Sequence, residues 1–160
     1  MNIWIGNDHG GVVLKEKIVA QLKKDGHNVK DIGSNIKDIV RYPYYAAEVA
    51  RAVADGTADR GILICSTGIG MSICANKFPG IRAANCNTTT MAKMTRLHND
   101  SNILCLGEKI LGEWDALYIV DTWLNTEYEG NRHDISLNLI AEAEQTNMSG
   151  NAWVPTGEWI

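Results

Sequence analysis

The stretch ILICSTGIGMSICANK, residues 62–77, decides the fold. Its opening apolar run, through Cys65, reads as a buried strand, and the remainder reads as a glycine-punctuated turn into a helix. A strand that opens onto a helix N-terminus is where α/β proteins place their ligands. Cys65 therefore stands where a reactive group would be aimed into a site, with packing as the plainer reading. Short, continuous apolar runs recur at 2–5, 28–32, 81–85 and 103–106, and with 61–65 they predict five parallel strands. Helical patterns lie between and after them, at 12–24 with Gly26 as its stop, 44–54, 71–77, 88–97, about 113–124 and about 132–144. Strand alternating with helix is the signature of a doubly wound α/β sheet.

At 160 residues the chain fits one domain, read as 1–145 with a tail at 146–160. The tail carries Trp153 and Trp159 in a stretch of turn composition, so it is expected to dock on the domain or on a partner subunit. The remaining tryptophans and tyrosines are expected mostly in the core. A formal charge of −4 with interspersed signs argues against nucleic-acid and anionic-membrane partners. No stretch has the apolar length of a membrane span, and the N-terminus enters a strand pattern directly, so a cytoplasmic protein is expected. The four cysteines form no C-x-x-C pair, which points to neither zinc nor a disulfide framework.

Chemistry-bearing residues gather at the predicted strand ends. GNDHGG closes the first strand with Asp8 and His9, and the third strand closes with Cys65, so all three fall on one rim. The STGIG loop, residues 66–70, supplies Gly68 and Gly70, letting backbone N–H groups turn toward a bound oxygen. This loop is not a P-loop, lacks the G-x-G-x-x-G spacing, and has Met71 where a Cys-x5-Arg phosphatase loop needs arginine. RLHND places His98 and Asn99 just past a helix and before the last strand, and GNRH places Arg132 and His133 at the start of a late helix. Plainer readings stand beside these: Asp8 as an N-cap, His9 as a turn residue, His133 on a helix face, Arg41 and Arg132 as solvated charges. Cys74, Cys86 and Cys105 read as small buried hydrophobes.

Taken in order, GNDHGG, RYPYYA, RGILICSTGIGMSICANKFPGIRAA, RLHNDSNILCLGE and YEGNRH closely resemble the type B ribose-5-phosphate isomerase and galactose-6-phosphate isomerase family. The resemblance implies a Rossmann-like three-layer α/β/α sandwich with a five-stranded parallel sheet. It also implies a homodimer or homotetramer with active sites at the subunit interface, a sugar-phosphate substrate and no metal or redox cofactor. Cys65 would be the base that moves a proton between C1 and C2. Thr67 and the N–H groups of Ser66, Thr67, Gly68, Ile69 and Gly70 would hold the enediolate oxygens. His98, helped by Asp8, would open the sugar ring, and Asn99 would orient hydroxyls. His9 and Arg132 would grip the phosphate, Arg132 arriving from the neighbouring subunit.

The chain departs from that family pattern at three places. Lys109 and Ser136 stand where many relatives carry arginine, and Arg41 stands where they carry aspartate before Tyr-Pro. Lysine keeps charge but loses the two-pronged geometry of a guanidinium. A hexose 6-phosphate, such as that of galactose or allose, or a free sugar is therefore the alternative substrate. A Cys65-dependent hydrolase and a non-catalytic sugar-phosphate or nucleotide sensor are the readings from other classes.

Overall fold

The structure, a computed structural model, describes residues 1–154. Five strands, β1 (Asn2–Asn7), β2 (Asn28–Asp31), β3 (Arg60–Cys65), β4 (Ala83–Asn85) and β5 (Ile103–Gly107), form one parallel sheet in the order β2-β1-β3-β5-β4. Six helices accompany them among the described residues: α1 (Val12–Lys24), α2 (Tyr42–Ala54), α3 (Ile69–Ala75), α4 (Thr89–Asn99), α5 (Glu113–Asn125) and α6 (Arg132–Met148). The central strands are apolar on both faces because both are covered. Ile3, Ile5, Ile62, Ile64, Leu104 and Leu106 pack toward α1, α4 and α5, where Ile18, Ala92, Ile119 and Trp123 are fully buried. Leu63, Cys65, Ile103 and Cys105 pack against α2 and α3 through Val49, Ala50, Met71 and Ala75. The three-layer α/β/α sandwich is thus the one expected, and alternation along β3 sends Cys65 to the α2/α3 side.

Boundaries shift where local chemistry overrides apolar pattern. Helix α2 begins at Tyr42 rather than 44, since Pro43 in the first turn needs no N–H partner. Helix α3 begins at Ile69 rather than 71, immediately after Gly68 takes a left-handed conformation (φ 78°). Strand β4 keeps only Ala83–Asn85 because Ile81 folds into a turn. Helix α4 runs on to Asn99, so His98 and Asn99 occupy its last turn instead of a loop. Helix α6 extends to Met148 and carries the chain through the expected 145/146 boundary without interruption.

The aromatic expectation fails on the outward faces. Trp123 is in the core, donating from Nε1 to Ser101 Oγ at 2.8 Å. Trp114 and Tyr118, one turn apart on α5, and Tyr44 on α2 are exposed, since these positions point away from the sheet. Trp153 is half-buried, and its backbone N–H donates to Asn147 Oδ1 at 3.2 Å. Trp159 lies outside the described residues. Helix α6 buries none of its side chains completely and leaves Ile135, Leu139 and Ile140 exposed among the described residues. No helix among the described residues is long and apolar enough to cross a membrane.

Candidate active site

The carboxyl ends of β1, β3 and β5 build a rim around Cys65. The thiol is 6 % exposed, and the Gly68 N–H donates to its Sγ at 3.1 Å. That bond depends on Gly68 holding a positive φ; a side chain there would also collide with Asn85 Oδ1 at 2.3 Å. Four successive loop carbonyls are tied back. Cys65 O accepts from Glu108 N (2.9 Å), Ser66 O from Lys109 N (3.1 Å), Thr67 O from Asn85 Nδ2 (3.3 Å) and Gly68 O from Ser72 N (3.0 Å). None of the four carbonyls is left free to oppose an anion, while the Gly68 N–H is taken by Cys65 Sγ and the Ile69 N–H donates to Thr67 Oγ1 at 3.4 Å.

The β1 end meets this loop directly. Asp8 is buried; its N–H donates to Ile64 O at 3.2 Å and its Oδ1 accepts from Gly10 N at 2.8 Å. Asp8 is therefore no helix cap: the N-cap of α1 is Gly11, without a side-chain cap, and Glu108 serves the first turn by accepting from Leu14 N at 2.7 Å. Gly10 leaves room for Ser66, whose Oγ would lie 2.3 Å from any β-carbon at that position. His9 Nδ1 accepts from Val40 N at 3.3 Å, which puts its hydrogen on Nε2. The 32–41 segment reaches His9 because it is fastened twice. Ser34 exchanges hydrogen bonds with Asn7, and the buried Lys15 ammonium holds Asp31 at 2.8 Å and Asn35 at 2.5 Å. The Tyr42 ring then lies against Gly70, and Lys109 follows on the β5 turn. Arg41, between Val40 and Tyr42, is exposed at the N-cap of α2.

The other thiols are packing. Burial pushes Cys86 up to about 11 and Cys105 well above the ordinary thiol range, the latter also through neighbouring Cys65 and Cys86. Burial raises Cys74 as well.

His98, Asn99 and Arg132 are not at this rim. Helix α4 runs antiparallel to the strands, so its last turn lies beside the amino end of β5, with Asn99 O accepting from Arg82 Nε at 3.0 Å. Six-residue β3 separates the two ends by roughly 17–20 Å. At the far end the His98 and His133 rings stack with centroids 4.2 Å apart and planes at 18°. Glu129 Oε2 sits 3.2 Å from His133 Nε2 and 4.0 Å from His98 Nε2, while Arg132 Nε approaches His133 Nε2 at 3.4 Å. Buried Arg96 fixes this corner through Asp100 and Ser101 O, both at 2.6 Å, and Thr126 O at 3.2 Å. The candidate residues of one chain thus fall into two clusters at opposite ends of the sheet.

A family model described as Ribose/Galactose Isomerase matches residues 3–140. The chain belongs to the ribose/galactose isomerase family. Within the family, it is 48 % identical to ribose-5-phosphate isomerase B of Escherichia coli (strain K12) over 143 residues, 89 % of this chain and 96 % of that one. The solved ribose-5-phosphate isomerase B of Clostridium thermocellum superposes with a TM-score of 0.90 at 52 % identity, covering 92 % of this chain and 99 % of the other. That of Mycoplasma genitalium, solved with bound ribulose-5-phosphate, gives 0.87 at 37 % identity over 90 % of this chain and 96 % of the other. Three residues of this isomerase that matter to site geometry escaped the sequence reading: Tyr42, Asn85 and Glu129. Only Glu129 had a signal, standing four residues before His133 in YEGNRH and so able to share a helical face with it.

Proposed function

We propose that this chain interconverts ribose 5-phosphate and ribulose 5-phosphate, moving a proton between C1 and C2 through an enediolate with Cys65 as base. The observation that carries the reading is the Cys65 loop: a nearly buried sulfur held by an N–H, beside backbone whose carbonyls all bond elsewhere. The cyclic sugar opens first, His98 and Asp8 carrying the O1 proton to the ring oxygen. Cys65 thiolate then removes the C2 proton; that electron pair forms the C1–C2 double bond, and the aldehyde electrons move onto O1. Thr67 and the N–H groups of residues 66–70 hold that charge. A proton passes from O2 to O1, O2 closes to the ketone, and Cys65 returns its proton to C1. The Nε2–H of His9 faces the phosphate, with Lys109 on the same rim.

This chemistry requires two copies. A twofold dimer would bring the His98, Asn99 and Arg132 end of one chain to the Cys65 rim of the other, and symmetry would complete a second site. The exposed apolar stripe of α6, which begins at Arg132, and exposed Ile69 and Ile73 on α3 beside the rim are the surfaces such pairing would cover. Free thiols and the absence of a membrane-spanning helix among the described residues fit work in the cytoplasm. The test is proton exchange by NMR on ribose 5-phosphate in deuterated water: exchange at C2 that disappears in Cys65→Ala is expected, and exchange that persists would remove the assignment.

Lys109 and Ser136 leave Arg132 as the guanidinium of the phosphate grip. A hexose 6-phosphate remains the competing substrate to assay beside ribose 5-phosphate.

A further inference from the structure

The stacked pair at the amino end of the sheet has the composition of a metal site. We infer that His98, Glu129 and His133 bind a transition-metal dication of the Zn²⁺ class, and that the bound ion inhibits the enzyme by occupying the His98 ring. Two imidazoles and one carboxylate suit zinc, nickel or copper and not magnesium or calcium, which prefer all-oxygen shells. One ligand atom from each residue lies within 4.8 Å of the other two. Ligand atoms around a tetrahedral zinc stand roughly 3.4 Å apart, so closing the cluster takes side-chain shifts of about an ångström together with rotation of the stacked rings. In the single chain the cluster is reachable, with His98, Glu129 and His133 exposed by 33, 51 and 16 % at the side chain; in the proposed dimer it opens toward the shared substrate site. Three protein ligands would leave a coordination position for water or a substrate oxygen.

The backbone places these ligands before any ion arrives. Glu129 N donates to Leu97 O at 3.1 Å, and Asn131 Nδ2 returns to Glu129 O at 3.0 Å. Asn131 adopts φ 56° with ψ −117°, a conformation disfavoured for a residue with a side chain. That turn starts α6 with His133 stacked on His98.

Two features oppose binding and fix how it should respond to change. The guanidinium of Arg132 competes for the His133 Nε2 lone pair at 3.4 Å and repels a cation. The rings must also tilt out of their stack, because an imidazole lone pair lies in the ring plane. Removing the Arg132 charge should therefore tighten the site, whereas removing Glu129 or His133 should loosen it.

The experiment titrates the purified full-length chain with Co²⁺ by visible absorption and with Zn²⁺ by calorimetry. One ion per chain is expected, with affinity falling at least about tenfold in Glu129→Gln and in His133→Asn. Arg132→Gln should bind more tightly and Cys65→Ala unchanged. No binding by the wild type, equal affinity in both ligand variants, weaker binding in Arg132→Gln, or loss of binding in Cys65→Ala would each overturn the site. Inhibition rests on the proposed role of His98. Zn²⁺ should suppress ribose 5-phosphate turnover with reversal by a chelator, and binding without inhibition would overturn that half. Failure of the isomerase reading itself would appear separately, as an ion-free wild type that does not turn over ribose 5-phosphate.

Discussion

The Cys65 rim and the His98 end are made by different means. At the rim, strand ends and short turns fix the reacting groups, carbonyls are bonded away, and the sulfur is enclosed. At the other end, longer side chains project from the close of α4 and the start of α6, stacked on each other and open to solvent. The geometry of the first region is fixed within one chain, because the sheet holds its strand ends. The second is a set of partly exposed side chains at the opposite end of the sheet. The contrast teaches that a residue's place in the chain says little about which edge of the sheet it serves, since an eleven-residue helix carries it about 16 Å back across the layer.

Substitutions at the two ends should separate accordingly. The largest loss is expected for Cys65→Ala, on the order of 10²–10⁴ in turnover with the melting temperature nearly unchanged. Activity within tenfold of wild type would move the base elsewhere. His98→Asn should reduce turnover of ribose 5-phosphate by about 10²-fold. It should spare a four-carbon aldose phosphate that cannot close a ring, and equal losses on both would cancel the ring-opening role. Arg132→Ala should raise KM for ribose 5-phosphate by roughly 10- to 100-fold, with a smaller change in kcat, as a charge-assisted phosphate contact predicts. Ser136→Arg, one turn along α6, is expected to lower KM by less than about tenfold. An unchanged KM there would mean that the missing arginine is silent. Smallest of all, Cys105→Ala and Cys86→Ala should keep kcat within about twofold while lowering stability, because both thiols only pack.

The sheet was legible because parallel strands covered on both faces leave continuous apolar runs, and those at 61–65 and 103–106 are unmistakable. The rim was legible for a related reason: Asp8 and His9 follow such a run, Cys65 closes one, and strand direction places them together. Helix ends were less so, since Gly68 and Pro43 act through φ and a missing N–H rather than through apolarity. Contacts such as Tyr42 on Gly70, or Asn85 on the Thr67 carbonyl, join residues far apart in sequence and leave no periodic trace. The separation of His98 from Cys65 was within reach of helix geometry, but reading RLHND as a loop concealed it. The exposed Trp114 and Tyr118 show that aromatic character alone does not place a residue in the core.

The claim that joins the two regions is that each complete site takes its Cys65 from one chain and its His98 from another. It is tested most directly by mixing two inactive proteins, Cys65→Ala and His98→Asn, under conditions that exchange subunits, and assaying ribose 5-phosphate. In a mixed dimer one of the two sites would regain both residues, so activity should return to about a quarter of wild type at equal concentrations. A mixture that stays inactive although mixed dimers are demonstrated by mass spectrometry would contradict the account.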